Sequence, residues 1–326
     1  MFATVDKVNE LVAAGKALIL AGEDRVLRSV APGNWIGGTI PYFMTVDGGV
    51  TSREGIFVQE APAAAKAAYV RTYDLATISR VGLDSPDNGY TLLILPAFTP
   101  IHQSYALNAP SYADLFLKVI AGWIAGIHLD DLGKATPQVF DGRTGDRLAD
   151  RGVALHIELP DDLRAEVGVV NIFEPGDGPD IVFPVTGFEA SECRINGQPR
   201  NFGEYFIEAN LDKRLPLVVD ALGTRINVSI RGFDAERGTV QFFAPVFEGA
   251  PYRVARDVGS YPRRFAEAIP ANAASSSFAC NCVLNYLYGE LEGNHTGHVT
   301  GPMTFGEIAY QLLNQTMVYL QVVDTV

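Results

Sequence analysis

Apolar positions along the chain follow two different periods. Val5, Val8, Leu11 and Val12 recur at helical spacing behind Thr4, which suits an N-cap, and Gly15 supplies the residue that closes such a helix. Ala17 to Ala21 is a short unbroken apolar run, and Ile56 to Glu60 and Leu92 to Phe98 are runs of similar length, which predicts buried strands. The clearest helical stripe is Leu115, Phe116, Val119, Ile120, Trp123 and Ile124. With Ser111 and Asp114 at capping-box spacing ahead of it, the pattern predicts a helix from Ser111 to Gly126 packed on a sheet.

Two segments read as surface connections. Asp141 to Gly152 alternates charge with glycine, and Glu174 to Asp180 combines prolines, glycines and acids. The second segment places a domain boundary, dividing the chain into 1–180 and 181–326. Beyond it the texture is strand-rich. Asn196-Gly197 predicts a type I′ hairpin, because both residues tolerate positive φ. Ile226, Val228 and Ile230 alternate with Asn227, Ser229 and Arg231, as a half-buried strand does, and Val240 and Phe242 begin its partner. Asn201 with Glu204, and Thr304 with Glu307, each predict a capped helix, before Thr316 to Val323 alternates as a last strand. Hairpins and buried runs interspersed with helices predict an α+β fold, with mixed or antiparallel sheets flanked by helices.

Composition narrows the function. The 326 residues are 48% hydrophobic and 19% charged, enough apolar material for one large or two medium cores. Twenty-five basic against 38 acidic residues leave a net charge of −13, which argues against nucleic-acid and membrane-surface partners. The three cysteines, an odd count, fit a reducing compartment. Lys7, Glu10 and Lys16 interrupt any signal-peptide core, and Leu115 to Leu129 is too short to cross about 30 Å of hydrocarbon. A cytoplasmic protein without membrane contact is expected.

Catalytic signatures are missing: there is no G-x-S-x-G elbow, no phosphate loop, no G-x-G-x-x-G and no H-E-x-x-H. Met1-Phe2-Ala3 offers no N-terminal nucleophile. Cys280-Asn281-Cys282 followed by His295 and His298 carries the donor types of a tetrahedral zinc site, with both sulfurs on one face of a strand. The same residues also read as small core side chains followed by a polar loop, and no metal is assigned.

Three clusters suit a ligand pocket better. In the first, Gly37, Gly38 and Thr39 lie between Trp35 and Tyr42, so that backbone amides and aromatic walls are close together; a tight turn with Trp35 filling the core explains them equally well. The second is the loop Phe98 to Ser104, at the end of the apolar strand Leu92 to Pro96, a strand end of the kind that lines crevices, where His102 could bond a ligand. The third joins Glu307 to Asn314, Gln315 and Thr316.

Gly301 to Val322, with its G-E-I step followed by N-Q-T and a terminal apolar strand, resembles the ending of the FIST domain, a sensory input module of signalling proteins. Phe278-Ala279-Cys280, the Ile195–Pro199 hairpin ahead of Tyr205, and Phe247-Glu248-Gly249-Ala250 are similar to further family steps in the same order. The N-terminal half fits in outline only. The resemblance implies two FIST-like halves and a sensor of small metabolites such as amino acids; some relatives bind haem. It also implies that Gly306, Glu307, Asn314, Gln315 and Thr316 lie near a shared site. With no residues left over for an output domain, a separate signalling protein is the expected partner.

The reading is therefore a non-enzymatic small-molecule-binding protein whose pocket lies between the halves, its cofactor unassigned. Trp35, Tyr42 and Cys280 would line the pocket, and Glu307, Asn314 and Gln315 would orient the ligand. Glu307 could meet an amine, and the Gly37 and Gly38 amides a carboxylate. Three alternatives stand beside it. One is a hydrolase using Cys280 or Cys282 with His295 or His298. Another is a haem sensor ligated by His102, His128, His156, His295 or His298. The last is a pure scaffold.

Overall fold

Trp123 and Glu307 are opposite one another on adjacent strands, so their side chains share one face of a sheet. That sheet is central to the molecule. Its strand order is Gln311–Leu313, Glu307–Ala309, Ile120–Ala125, Gly89–Pro96, Gly152–Glu158 and Ala67–Tyr73. The computed structural model describes residues 1–221 and 224–325.

Two more six-stranded sheets cover the face that carries Trp123 and Glu307. The outer sheet runs Phe2–Ala3, Ile56–Glu60, Leu18–Gly22, Trp35–Thr39, Val139–Asp141 and Asp146–Leu148. It approaches the central sheet at Gly38, where a Cβ would lie 2.6 Å from the Trp123 indole and 2.7 Å from Ile94. The third sheet runs Leu163–Val170, Met317–Asp324, Phe278–Cys282, Gly301–Thr304, Tyr42–Thr45 and Gly48–Thr51. It meets the central sheet through Glu307. Ile19, Ile36, Phe43, Ile94, Cys280 and Val318 belong to the resulting shared core.

Helices cover the opposite faces. Val5–Ala13 lies on the outer sheet over Leu18, Leu20 and Trp35, with Thr4 as its N-cap. Tyr261–Ala268 covers the third sheet over Ala279 and Met317. Pro100–Asn108 packs on the central sheet, its Tyr105 hydroxyl donating to the Tyr310 carbonyl at 2.6 Å. The fold is α+β, with mixed and antiparallel sheets flanked by helices.

A small β unit with its own core, Ile181, Phe183, Phe202, Phe242 and Tyr252 among it, occupies Ile181–Val254. The segment Glu174–Asp180 does lead into this unit. From Phe278 onward, however, the chain returns to the third and central sheets, so residues 181–326 are not one half.

Two expected helices are strands. Leu115–Leu117 is a single 3-10 turn, and Ile120–Ala125 is a strand buried on both faces. Burial on both faces erases the period of two, so the run mimics a helical stripe. Gly122 sits at φ 153°, where any Cβ would come within 1.9 Å of the Leu93 carbonyl oxygen. Thr304 and Glu307 end and begin two strands, and their capping-box spacing instead serves a buried tertiary contact. The Asn196-Gly197 hairpin forms with both residues at positive φ, 47° and 84°. No helix among the described residues is long and apolar enough to cross a membrane.

Candidate functional site

Three pairs of neighbouring strands run parallel among the described residues: Leu18–Gly22 beside Trp35–Thr39, Gly89–Pro96 beside Ile120–Ala125, and Phe278–Cys282 beside Gly301–Thr304. Crevices beyond the carboxyl ends of such strands are the usual place for ligands in sheets with helices on their faces. Here the segments leaving those ends surround two hollows.

The first is a polar cleft of about 430 Å³. Glu23 and Asp24 reach it from the end of the Leu18–Gly22 strand, and Thr39 from the end of its neighbour. Gly126, Asp131 and Lys134 reach it from beyond Ala125. Its charges are internally balanced. The Arg53 guanidinium donates to Asp131 Oδ2 at 2.7 Å and lies 3.4 Å from Glu23 Oε1. The bond from Arg53 holds the Asp131 carboxyl below its ordinary range, whereas burial pushes Glu23 up despite Arg53. Arg147 pairs with Asp24 at 2.6 Å, and Lys134 Nζ donates to the Asp130 carbonyl.

The second hollow is an apolar cavity of about 360 Å³ between the two units. Phe98, Leu129, Leu132, Val283, Leu284 and Phe305 come from the larger unit, and Phe243 and Arg231 from the small one. Phe98 follows the Gly89–Pro96 strand at φ 63°, a strained conformation for an aromatic residue, and its ring meets Phe305 edge-on at 5.9 Å. The loop after Ala125 serves both hollows, with Leu129 and Leu132 on the cavity and Asp131 and Lys134 on the cleft.

Of the residues expected at a site, two stand beside this region. The Thr39 hydroxyl donates to the Gly126 carbonyl at 2.7 Å and accepts the Gln138 N–H at 2.9 Å. The Tyr42 hydroxyl accepts the Leu129 N–H at 3.0 Å while its ring stacks on His128, which fixes the loop that lines both hollows. The others are placed differently. Trp35 faces the Val5–Ala13 helix, its indole N–H donating to the Ala31 carbonyl at 2.9 Å. Gly37 and Gly38 sit in an interior strand between Leu18–Gly22 and Val139–Asp141, where strand neighbours flank both backbone edges. His102 is fully enclosed beside Phe188, neither ring nitrogen has a partner among the described residues, and burial lowers its pKa to about 4.

Cys280, Glu307 and Thr316 do come together, but in a filled interior. Glu307 Oε2 accepts the Thr316 hydroxyl at 2.8 Å and the Thr316 N–H at 3.2 Å, and Oε1 accepts the Thr304 hydroxyl at 3.4 Å. Burial raises its pKa to about 8, against those hydrogen bonds. Gln315 Oε1 accepts the Ser229 hydroxyl at 2.8 Å, and its Nε2 donates to the Arg214 carbonyl at 3.0 Å. Asn227 Nδ2 donates to the Asn314 carbonyl at 3.1 Å. This segment therefore fastens the small unit to the larger one, and neither Glu307 nor Gln315 borders the cleft or the cavity.

The alternative chemistries lack the required geometry. Cys280 and Cys282 are buried, with thiols pushed well above their ordinary pKa by burial and by Glu307, whereas His295 and His298 are exposed. Among the described residues no cluster of His, Cys, Asp and Glu is arranged to hold a metal ion. None of the five histidines lines the cavity.

Most cavity and cleft residues went unmarked in the sequence. Leu129, Val283, Leu284 and Phe305 look like any core positions, and Arg231 looks like a solvent-facing strand residue. Two signals were available: the Phe98–Ser104 loop at a strand end, and Glu23-Asp24 one glycine beyond the apolar Ala17–Ala21 run.

No curated protein and no solved structure matches the chain. Residues 3–323 match a family of unknown function (DUF6976), and the chain belongs to that family.

Proposed function

We propose that the protein is a non-enzymatic small-molecule-binding module, of the sensory kind that the FIST resemblance implies, with its ligand seated in the apolar cavity. The observation that carries this reading is the placement of that cavity, about 360 Å³ with walls from both units. Its volume and largely hydrophobic lining suit a small organic ligand, and domain interfaces are favoured locations. A molecule held there touches Phe98 and Phe305 on one side and Phe243 on the other, so occupancy would bias how the small unit sits. That is the physical requirement for passing a signal to a separate protein. Among the described residues the lining contains no thiol, hydroxyl, carboxylate or imidazole to act as nucleophile or general base, which favours binding over catalysis.

A thermal-shift panel of apolar and polar metabolites tests the reading. At least one compound should stabilise the protein saturably, as RT ln(1 + [L]/Kd) requires. Leu132→Trp, a change at a half-exposed rim residue, should leave the fold intact and remove that response. A response unaffected by Leu132→Trp, or no response from any compound, would defeat the proposal.

A further inference from the structure

We propose that the cavity is specific for an amphiphilic monoanion, a carboxylate carrying an unbranched apolar tail, with Arg231 as the headgroup partner. The inference rests on the cavity being the ligand site and goes further by naming the class of ligand. Its first support is the composition of the wall: apart from Arg231, every lining residue among those described is apolar. The second is the state of Arg231. One guanidinium nitrogen donates to Gln241 Oε1 at 3.0 Å, and the side chain makes no ion pair among the described residues. A guanidinium has five N–H donors in a fork that matches a carboxylate, so most of its capacity is free. Arg28, Lys134, Arg151, Arg194 and Lys213 likewise make no ion pair among the described residues, but only Arg231 lines the apolar hollow.

The wall also discriminates among ligands. A zwitterionic amino acid would place its ammonium against phenylalanine and leucine side chains with no carboxylate in the lining to receive it, an uncompensated burial of charge. A simple amine meets the same obstacle and is repelled by Arg231 as well. A neutral hydrocarbon would fill the hollow but leave the guanidinium unused.

Size and rim agree with this assignment. At ~30 Å³ per water, the space equals about twelve water volumes, room for a tail of roughly ten heavy atoms. Phe98 and Leu132 stand at the rim 44% and 48% exposed, apolar surface that a seated tail would cover. Phe98 is held there at φ 63°, a conformation that bulky side chains avoid and that the surrounding fold must enforce.

The test compares decanoate, 1-decanol and decyltrimethylammonium below their micelle-forming concentrations, by thermal shift and titration calorimetry. The wild-type protein is set beside Arg231→Gln, Gln241→Glu and Leu132→Trp. Decanoate should stabilise the wild type saturably, decanol about tenfold more weakly and the ammonium compound not at all. Arg231→Gln should reduce decanoate to the level of decanol, and Gln241→Glu should do the same by giving Arg231 an internal carboxylate. Leu132→Trp should abolish both. Equal affinity for decanoate and decanol, or undiminished decanoate binding in the two charge variants, overturns the anion assignment while leaving the cavity as a ligand site. If none of the three binds but a panel metabolite does, with loss in Leu132→Trp, the ligand class is wrong and the site right. If nothing binds at all, both fall together.

Discussion

The Phe305 ring lies so close over Gly126 that a Cβ on the glycine would meet ring carbon Cδ1 at 2.2 Å. Gly126 borders the polar cleft and Phe305 the apolar cavity, so this contact is part of the wall between them. The glycine cannot easily retreat. Its N–H donates to the Thr39 carbonyl at 2.7 Å, and its own carbonyl accepts the Thr39 hydroxyl at 2.7 Å. Gly126→Ala must therefore displace the ring, at a cost of about 1–3 kcal/mol by urea denaturation, and weaken any ligand seated against Phe305. Gly178, where a Cβ would meet nothing within 4 Å, is the control. Its alanine variant should change stability by no more than ~0.5 kcal/mol, and equal effects at the two positions would contradict the wall.

Glu307 makes stability depend on pH on the alkaline side. Its folded pKa of about 8 lies above its ordinary 4.5, so between those values the folded state binds a proton that the unfolded chain has released. Stability is then greatest below pH 4.5 as far as this group alone is concerned, and is lost as pH rises toward 8. Glu307→Gln, which keeps the size and the neutral character, should flatten this limb in urea melts recorded from pH 6.5 to 8.5. A limb of unchanged slope in the variant would show that the carboxyl is ionised in the fold.

Two histidines give the opposite limb. Burial lowers His102 and His156 from 6.5 to about 4, although His156 has partners, Thr91 at 2.8 Å and Tyr73 at 3.0 Å, and His102 has none among the described residues. Below pH 6.5 the unfolded chain takes up protons that the folded imidazoles refuse, so stability falls as pH drops from 6.5 toward 4. With Glu307 acting above, the maximum should lie near pH 6.5. His102→Leu removes two unpartnered ring nitrogens from an apolar site. It should leave stability at pH 7 equal or raise it by about 1 kcal/mol, and should lessen the loss at pH 5. An acid sensitivity identical to that of the wild type would be inconsistent with a buried neutral His102.

How far the sequence reached depended on the range of the determining forces. The Val5–Ala13 helix and the Asn196-Gly197 hairpin were legible because caps and turn residues act within a few positions. The Ile120–Ala125 strand was not, since its period of two vanishes when both faces are buried. Thr304 and Glu307 kept the spacing of a helix start but spend their side chains on each other and on Thr316. At the site, Thr39 and Tyr42 could be marked because they sit among glycines at a strand end. Of the cavity wall only Phe98 fell in a marked loop, Phe98 to Ser104; Leu129, Arg231 and Phe305 come from distant segments and each looks ordinary where it stands.

The cysteines provide the sharpest separation of binding from thiol chemistry. Cys193, Cys280 and Cys282 are all free and buried. Burial lifts the Cys193 thiol to about 11 and the other two well above their ordinary value, with the nearby Glu307 adding to the rise. Only a thiolate attacks a disulfide reagent, so each residue is suppressed twice, by access and by ionisation. The folded protein at pH 7.5 should therefore leave Ellman's reagent essentially unreacted over an hour. In guanidinium chloride it should release one equivalent from each of the three cysteines. Sulfurs that react only through unfolding should label at a rate that falls in step with stability, so Gly126→Ala should label faster than the wild type in mild denaturant. A fast native equivalent traced to Cys280 or Cys282 would mean that reagent enters the core beside Glu307. The hydrolase reading would then regain its nucleophile at the expense of the binding one.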